Sequence, residues 1–217
     1  MSDARNAILG RLRAAGDIAK SALPAEDFTV VASRGWSPEA KLTRLRAAME
    51  AVHTEFLDAR SGDWVAMLRD WLVQEALPSL IYAPNTPLGA HLAAGWPGEP
   101  PLIPYDKAMN DWKPELFATQ GAGITATRGG IAETGSLILW TDADQPRTLS
   151  LVPPVHIAVL DVNQLHDTMW QAMQDQGWAA ELPTNLLLVS GPSKTADIEQ
   201  TLAYGVHGPK RLLVVLV

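Results

Sequence analysis

The chain has 217 residues, of which 47% are hydrophobic and 19% charged. That balance excludes a disordered or fibrous chain, and the length fits one or two domains at roughly 150 residues each. Seventeen basic against 24 acidic residues give a net charge of −7, which lacks the basic footprint of a nucleic-acid binder. There is no cysteine, so the chain offers neither disulfides nor thiolate ligands for zinc or an iron–sulfur cluster.

The first residues, MSDARNAILGRLRAAG, lack the apolar core of a signal peptide. No apolar run reaches the ~18 residues of a membrane-spanning helix, so no membrane insertion is expected. The expectation is a soluble cytoplasmic protein.

Ala4, Ala7, Ile8, Leu12 and Ala15 recur at helical spacing, with Asp3 at the start and Gly16 as a stop. This predicts a helical arm within residues 1–36, ahead of a single α/β domain over 37–217. Ser37-Pro38 is an N-cap followed by proline in the first turn. Leu42, Leu45, Met49 and Val52 continue that helix on one face. A short strand over Thr54–Leu57 is followed by a helix that Asp63 caps and that runs to Leu77, with Trp64 and Trp71 on its core face. Ser79–Tyr82 reads as a buried strand, Pro84–Leu92 as a turn into a helix, and Pro100–Pro104 as extended chain. The prolines crowded between Pro84 and Pro104 indicate tight connections between short elements.

Beyond Gly121, strands are expected at Ile124–Ala126, Ser136–Trp140, His156–Leu160, Leu186–Val189 and Leu212–Val217, with a helix over Asn163–Gln174. Runs such as Asn185-Leu-Leu-Leu-Val189 do not alternate, as strands buried on both faces do not. The fold class is therefore α/β, a mainly parallel sheet covered by helices, with an N-terminal helical extension.

The densest polar, glycine-rich stretch runs from Gly121 to Ser136 between two strands. Gly123, Gly130 and Gly135 let a backbone approach a ligand closely, and Thr125, Thr134 and Ser136 add hydroxyls. Glu133 adds a carboxylate. A tight strand connection with bulges accounts for the same residues. Neither a Walker A loop nor a dinucleotide fingerprint fits the spacing. Ser193, Lys194, Thr195 and Asp197 follow a strand, where open α/β sheets bind ligands; a capped short helix is the plainer alternative. His207 sits between Val206 and Gly208 as a proton-handling candidate or a loop histidine in water. His156, after Pro153-Pro154, reads as a structural histidine. Trp36, Trp96, Trp112 and Trp178 lie near turns and suit core, pocket or interface.

Four segments in order carry a resemblance: Gly123-Ile-Thr125 with Gly130-Ile-Ala-Glu-Thr-Gly-Ser136; Pro154-Val-His156-Ile; Gly191-Pro-Ser-Lys-Thr-Ala-Asp-Ile-Glu199; and Gly205-Val-His-Gly-Pro209. Together they resemble the lactate utilisation protein C family, built on the LUD domain, most strongly over 121–217. The resemblance implies a fold related to the sugar-phosphate isomerase and CoA-transferase-like superfamily. It also implies work with two partners in oxidising L-lactate to pyruvate. One partner is an iron–sulfur protein that itself carries a LUD domain, the other a cysteine-rich-domain protein. Any iron–sulfur cluster would then sit on a partner chain and no cofactor on this one.

On this reading Glu133 and His207 are the catalytic candidates. Gly123, Thr125, Gly130, Thr134, Gly135, Ser136, Ser193, Lys194, Thr195 and Asp197 would bind a small anionic ligand. Two alternatives stand beside it: a stand-alone enzyme on a sugar phosphate or CoA ester using Glu133, and a non-catalytic scaffold.

Overall fold

The computed structural model describes residues 2–19, 27–118, 121–196, 202–204 and 207–217. The chain divides into two compact units, Met1–Ala32 and Ser33–Val217. The first contains helix α1, Ser2–Ala19, which runs through Gly16 rather than stopping there.

The second unit opens with α2 (Pro38–Glu50), β1 (Glu55–Asp58), α3 (Trp64–Gln74) and β2 (Leu80–Tyr82). It continues with α4 (Pro87–Gly95), β3 (Leu102–Pro104), α5 (Met109–Ala118) and β4 (Ala122–Ala126). Two of these helices start at the expected caps, Ser37 and Asp63, and a third at Thr86, which the sequence reading did not single out. Ser37 accepts from the Ala40 amide, Asp63 from Val65 and Ala66, and Thr86 from Gly89. Each cap satisfies first-turn donors that the helix itself leaves unpaired.

The later elements are β5 (Gly130–Ile131), β6 (Ser136–Thr141), α6 (Thr148–Leu151) and β7 (Val155–Leu160). After them come β8 (Leu165–His166), α7 (Met169–Asp175), β9 (Asn185–Val189), β10 (Lys194–Ala196), β11 (Leu202–Tyr204) and β12 (Arg211–Leu216). Among the described residues, six strands form one parallel sheet in the order β1-β12-β7-β4-β2-β3. A four-stranded sheet, β8-β5-β6-β9, has antiparallel β5–β6 and β6–β9 pairs and one parallel pair. β10 and β11 form an antiparallel pair.

The central strands are apolar on both faces because both faces are covered. Val155, Ile157 and Val159 of β7, with Leu213 and Val215 of β12, pack with Val65, Leu68 and Leu72 of α3. The intervening Ala158, Leu160, Leu212, Val214 and Leu216 pack with Leu45 and Met49 of α2. Trp112 and Trp178 are buried in two further clusters.

Three local expectations are corrected. Residues 163–174 are not one helix: a 3-10 turn at Val162–Gln164 leads into β8, and α7 begins only at Met169. Leu165 and His166 are drawn into strand pairing with Gly130 and Ile131. The Asn185–Val189 run is not a two-sided parallel strand. It is the edge of the second sheet, antiparallel to β6, with Leu188 exposed. Finally, Lys194–Ala196 is a strand rather than the start of a capped helix, because it pairs with Leu202–Tyr204.

Candidate functional site

A cavity of about 210 Å³ lies where β7 and β12 begin and β9 ends. Leu151, Leu188 and Leu212 form apolar wall, while His156, Ser190, Ser193 and His207 supply polar groups. Register explains the convergence: His156 pairs with Gly123 on one side and Leu212 on the other. Two backbone bonds hold the remaining segments. The Ser193 amide donates to Pro209 O at 2.8 Å, and the Lys210 amide donates to Pro154 O at 2.8 Å.

His156 is only 1% exposed, and its Nε2 lies 2.8 Å from the Thr125 hydroxyl. Burial pushes the imidazole down to about 3, so the ring is neutral near pH 7. A second polar line reaches the cavity through hydroxyls. Thr134 Oγ1 donates to Ser136 Oγ at 2.9 Å, and Ser136 Oγ lies 2.8 Å from Ser190 Oγ. Thr125, Ser136, Ser193 and His207, read separately from the sequence, are thus brought to or directly behind one space.

The other candidates lie elsewhere. Glu133 is on the β5–β6 turn, outside the cavity lining, with its carboxylate 2.7 Å from Arg34 Nη2. Its amide donates to Asp167 O at 3.0 Å. Lys194 is exposed and also outside the lining. Thr195 lies on β10, Asp197 lies outside the described residues, and so do Gly205 and Val206.

Gly123 and Gly135 have packing reasons to be glycine. A Cβ on Gly123 would meet Leu149 O at 2.3 Å. Gly135 has φ +62, and a Cβ there would meet that of Ala48 at 2.5 Å. Gly130 likewise lies against Leu45 and Leu165.

Sequence reading missed the partners of Asp167. This 1% exposed carboxylate accepts from Ser33 Oγ and the Arg34 amide, both at 2.6 Å, and from the Trp36 amide at 3.4 Å. Lys41 Nζ stands 3.3 Å from its other oxygen. Burial is the largest influence and raises the carboxyl, but the bonds from Ser33, Lys41, Arg34 and Trp36 together hold it below the usual range. Residues 33–36 carried no readable periodicity, so only the fold reveals this anchor.

A larger crevice of about 560 Å³ opens beyond the carboxyl ends of β2 and β4. Thr86 and Leu88 line it from one connection, Thr127 and Arg128 from the other, and Trp140 and Asp142 from β6 and its exit. Arg128 was passed over in the sequence because it stands alone in a glycine-rich stretch. Among the described residues, no three His, Asp or Glu side chains gather into a group that could hold a metal ion.

The sequence matches the model of the LUD domain over residues 42–217. It is 35% identical to an uncharacterized protein of Neisseria meningitidis serogroup B, covering 99% of this chain and 93% of that one. It is 28% identical to lactate utilization protein C of Bacillus subtilis, covering 84% of this chain and 80% of the relative. The corresponding Exiguobacterium protein is 29% identical, with 85% and 80% covered. A crystal structure of a DUF162 family protein from Deinococcus radiodurans shares the fold with a TM-score of 0.58 at 21% identity, covering 84% of this chain and 99% of that chain.

Proposed function

Because the chain belongs to the LUD domain family, we propose that it serves lactate utilisation by holding L-lactate or pyruvate in the His156–His207 cavity. The observation that carries this reading is the convergence of three sequence-distant segments on one small space with an apolar wall and a histidine–serine wall. A three-carbon hydroxy acid needs that division. Its methyl group suits Leu151 and Leu212, and its hydroxyl and carboxylate suit donors on the opposite side. Lys194 and Lys210 follow the lining residues Ser193 and Pro209 in sequence. The names of the relatives that cover most of the chain support the substrate class.

Oxidation of lactate to pyruvate breaks the O–H and Cα–H bonds, forms a C=O bond and releases two electrons and two protons. In this reading His207 takes the hydroxyl proton, the usual task of an imidazole near neutral pH. His156, kept neutral by burial, orients the ligand without adding charge. The Cα–H bond would give up its two electrons and its proton to an acceptor on a partner chain; the expected partners are an iron–sulfur LUD-domain protein, which would carry the clusters, and a cysteine-rich-domain protein. This chain has no cysteine with which to bind such a cluster. Glu133, engaged by Arg34, holds the β5–β6 turn beside the hydroxyl line.

Calorimetric titration of the purified chain with L-lactate and with pyruvate tests the reading. Saturable binding of either, abolished by the cavity-filling Ser190→Leu, is expected. No binding, or equal binding by the variant, would contradict it.

A further inference from the structure

We propose that the crevice at the carboxyl ends of β2 and β4 binds a polyol bearing a phosphate or carboxylate, a larger ligand than the three-carbon acid of the other cavity. Three independent features carry this.

Topology comes first. From β2 the sheet continues outward to β3, whereas from β4 it continues the opposite way to β7 and β12. The connections leaving β2 and β4 therefore diverge and leave a gap between adjacent strands. Open α/β sheets bind their ligands in such a gap, outside the carboxyl ends of the strands. The volume of about 560 Å³ falls within the roughly 300–1,000 Å³ range of small-molecule sites and exceeds the 210 Å³ of the other cavity.

The second feature is an available cation. Arg128 Cζ lies 4.3 Å from the centre of the Trp140 ring, and no carboxylate stands within ion-pair distance of it among the described residues. Stacking occupies the face of the guanidinium and leaves its in-plane donors for a bidentate anion. Trp140 is itself braced edge-on by Trp178, with centroids 6.4 Å apart.

The third feature is a wall that is set before any ligand arrives. The Gln145 side chain accepts from the Ala126 amide at 2.8 Å and donates to Ala126 O at 3.1 Å. Gln176 Nε2 donates to the Arg128 carbonyl at 2.7 Å. Such prior ordering lowers the entropy cost of binding. Asp142 also lines the crevice, with Oδ1 accepting from the Asp144 and Gln145 amides at 2.9 and 2.7 Å. A carboxylate there repels a second anionic group and accepts from hydroxyls. The chemistry therefore selects one anion at Arg128 with neutral hydroxyls around it.

The test uses sorbitol phosphate, gluconate and sorbitol as matched probes, titrated calorimetrically at low and high salt. Sorbitol phosphate or gluconate should bind the wild-type chain, and whichever binds names the anion. Arg128→Ala should weaken that probe by ~tenfold or more, as loss of a charge-assisted pair requires. Arg128→Lys should recover part of the affinity, and Ser190→Leu should leave it unchanged. Failure of both anions to bind, equal binding of sorbitol, or full affinity in Arg128→Ala would each overturn the proposal. L-lactate binding by Arg128→Ala, measured in parallel, reports on the other cavity alone, so the two readings fail separately.

Discussion

Thr125 Oγ1 and His156 Nε2 lie 2.8 Å apart across two parallel strands, and the histidine ring is 1% exposed. Burial of the ring makes stability depend on pH. The imidazole is held at about 3 in the fold against 6.5 ordinarily. Below about pH 6.5 the unfolded chain takes up a proton that the folded chain refuses, so stability falls as pH drops towards 3. At pH 5 this amounts to about 2 kcal/mol. Denaturant unfolding at pH 7 and pH 5 should show that loss in the wild type and a shallower dependence in His156→Gln. Parallel profiles would refute the assignment.

Gly135 on the β5–β6 turn and Gly123 on β4 are required by packing. Gly135→Ala forces a left-handed residue to carry a Cβ that meets Ala48 at 2.5 Å, and should cost about 1–2 kcal/mol in backbone strain before any clash. Gly123→Ala meets Leu149 O at 2.3 Å and should also lower Tm. A variant that kept its Tm while losing ligand affinity would instead assign that glycine to binding.

Asp167 anchors residues 33–36. Asp167→Ala leaves the Ser33 hydroxyl, the Arg34 amide and Lys41 without their shared acceptor. The expected cost is roughly 1–3 kcal/mol, with faster proteolysis near Arg34. Unchanged cleavage there would show that the anchor does not hold the segment.

Ser136 and Ser190 are 54 residues apart in sequence and 2.8 Å apart in space. A double-mutant cycle with both alanine variants should give a coupling of about 0.5–1.5 kcal/mol in stability. Strict additivity would mean that the hydroxyls do not support one another.

Much of this fold is legible in the sequence because burial on both faces leaves a signature. His156–Leu160 and Leu212–Val217 read as strands, and the structure has inner strands of the parallel sheet at Val155–Leu160 and Arg211–Leu216, with alternate residues in opposite core clusters. The same signature misleads at Asn185–Val189, where a leucine run occupies an edge and Leu188 meets solvent. Composition records apolarity but not which partner covers it. At 163–174 the helical spacing of Leu165 and Met169 hides a pairing to Gly130 and Ile131 that no local window contains.

The candidate sites divide in the same way. Ser193 and His207 announce themselves through flanking glycine and proline. The Arg128 crevice is assembled from Thr86, Trp140 and Gln176, which are distant in sequence and individually ordinary.

The most direct test of the proposed role is L-lactate oxidation by the chain reconstituted with the proposed iron–sulfur LUD-domain and cysteine-rich-domain partners, comparing wild type with His207→Gln and Ser190→Leu. Partner reduction by lactate should fall at least ~100-fold in His207→Gln, in line with loss of a general base, and vanish when Ser190→Leu fills the cavity. Wild-type rates in both variants would contradict the assignment of lactate to this cavity.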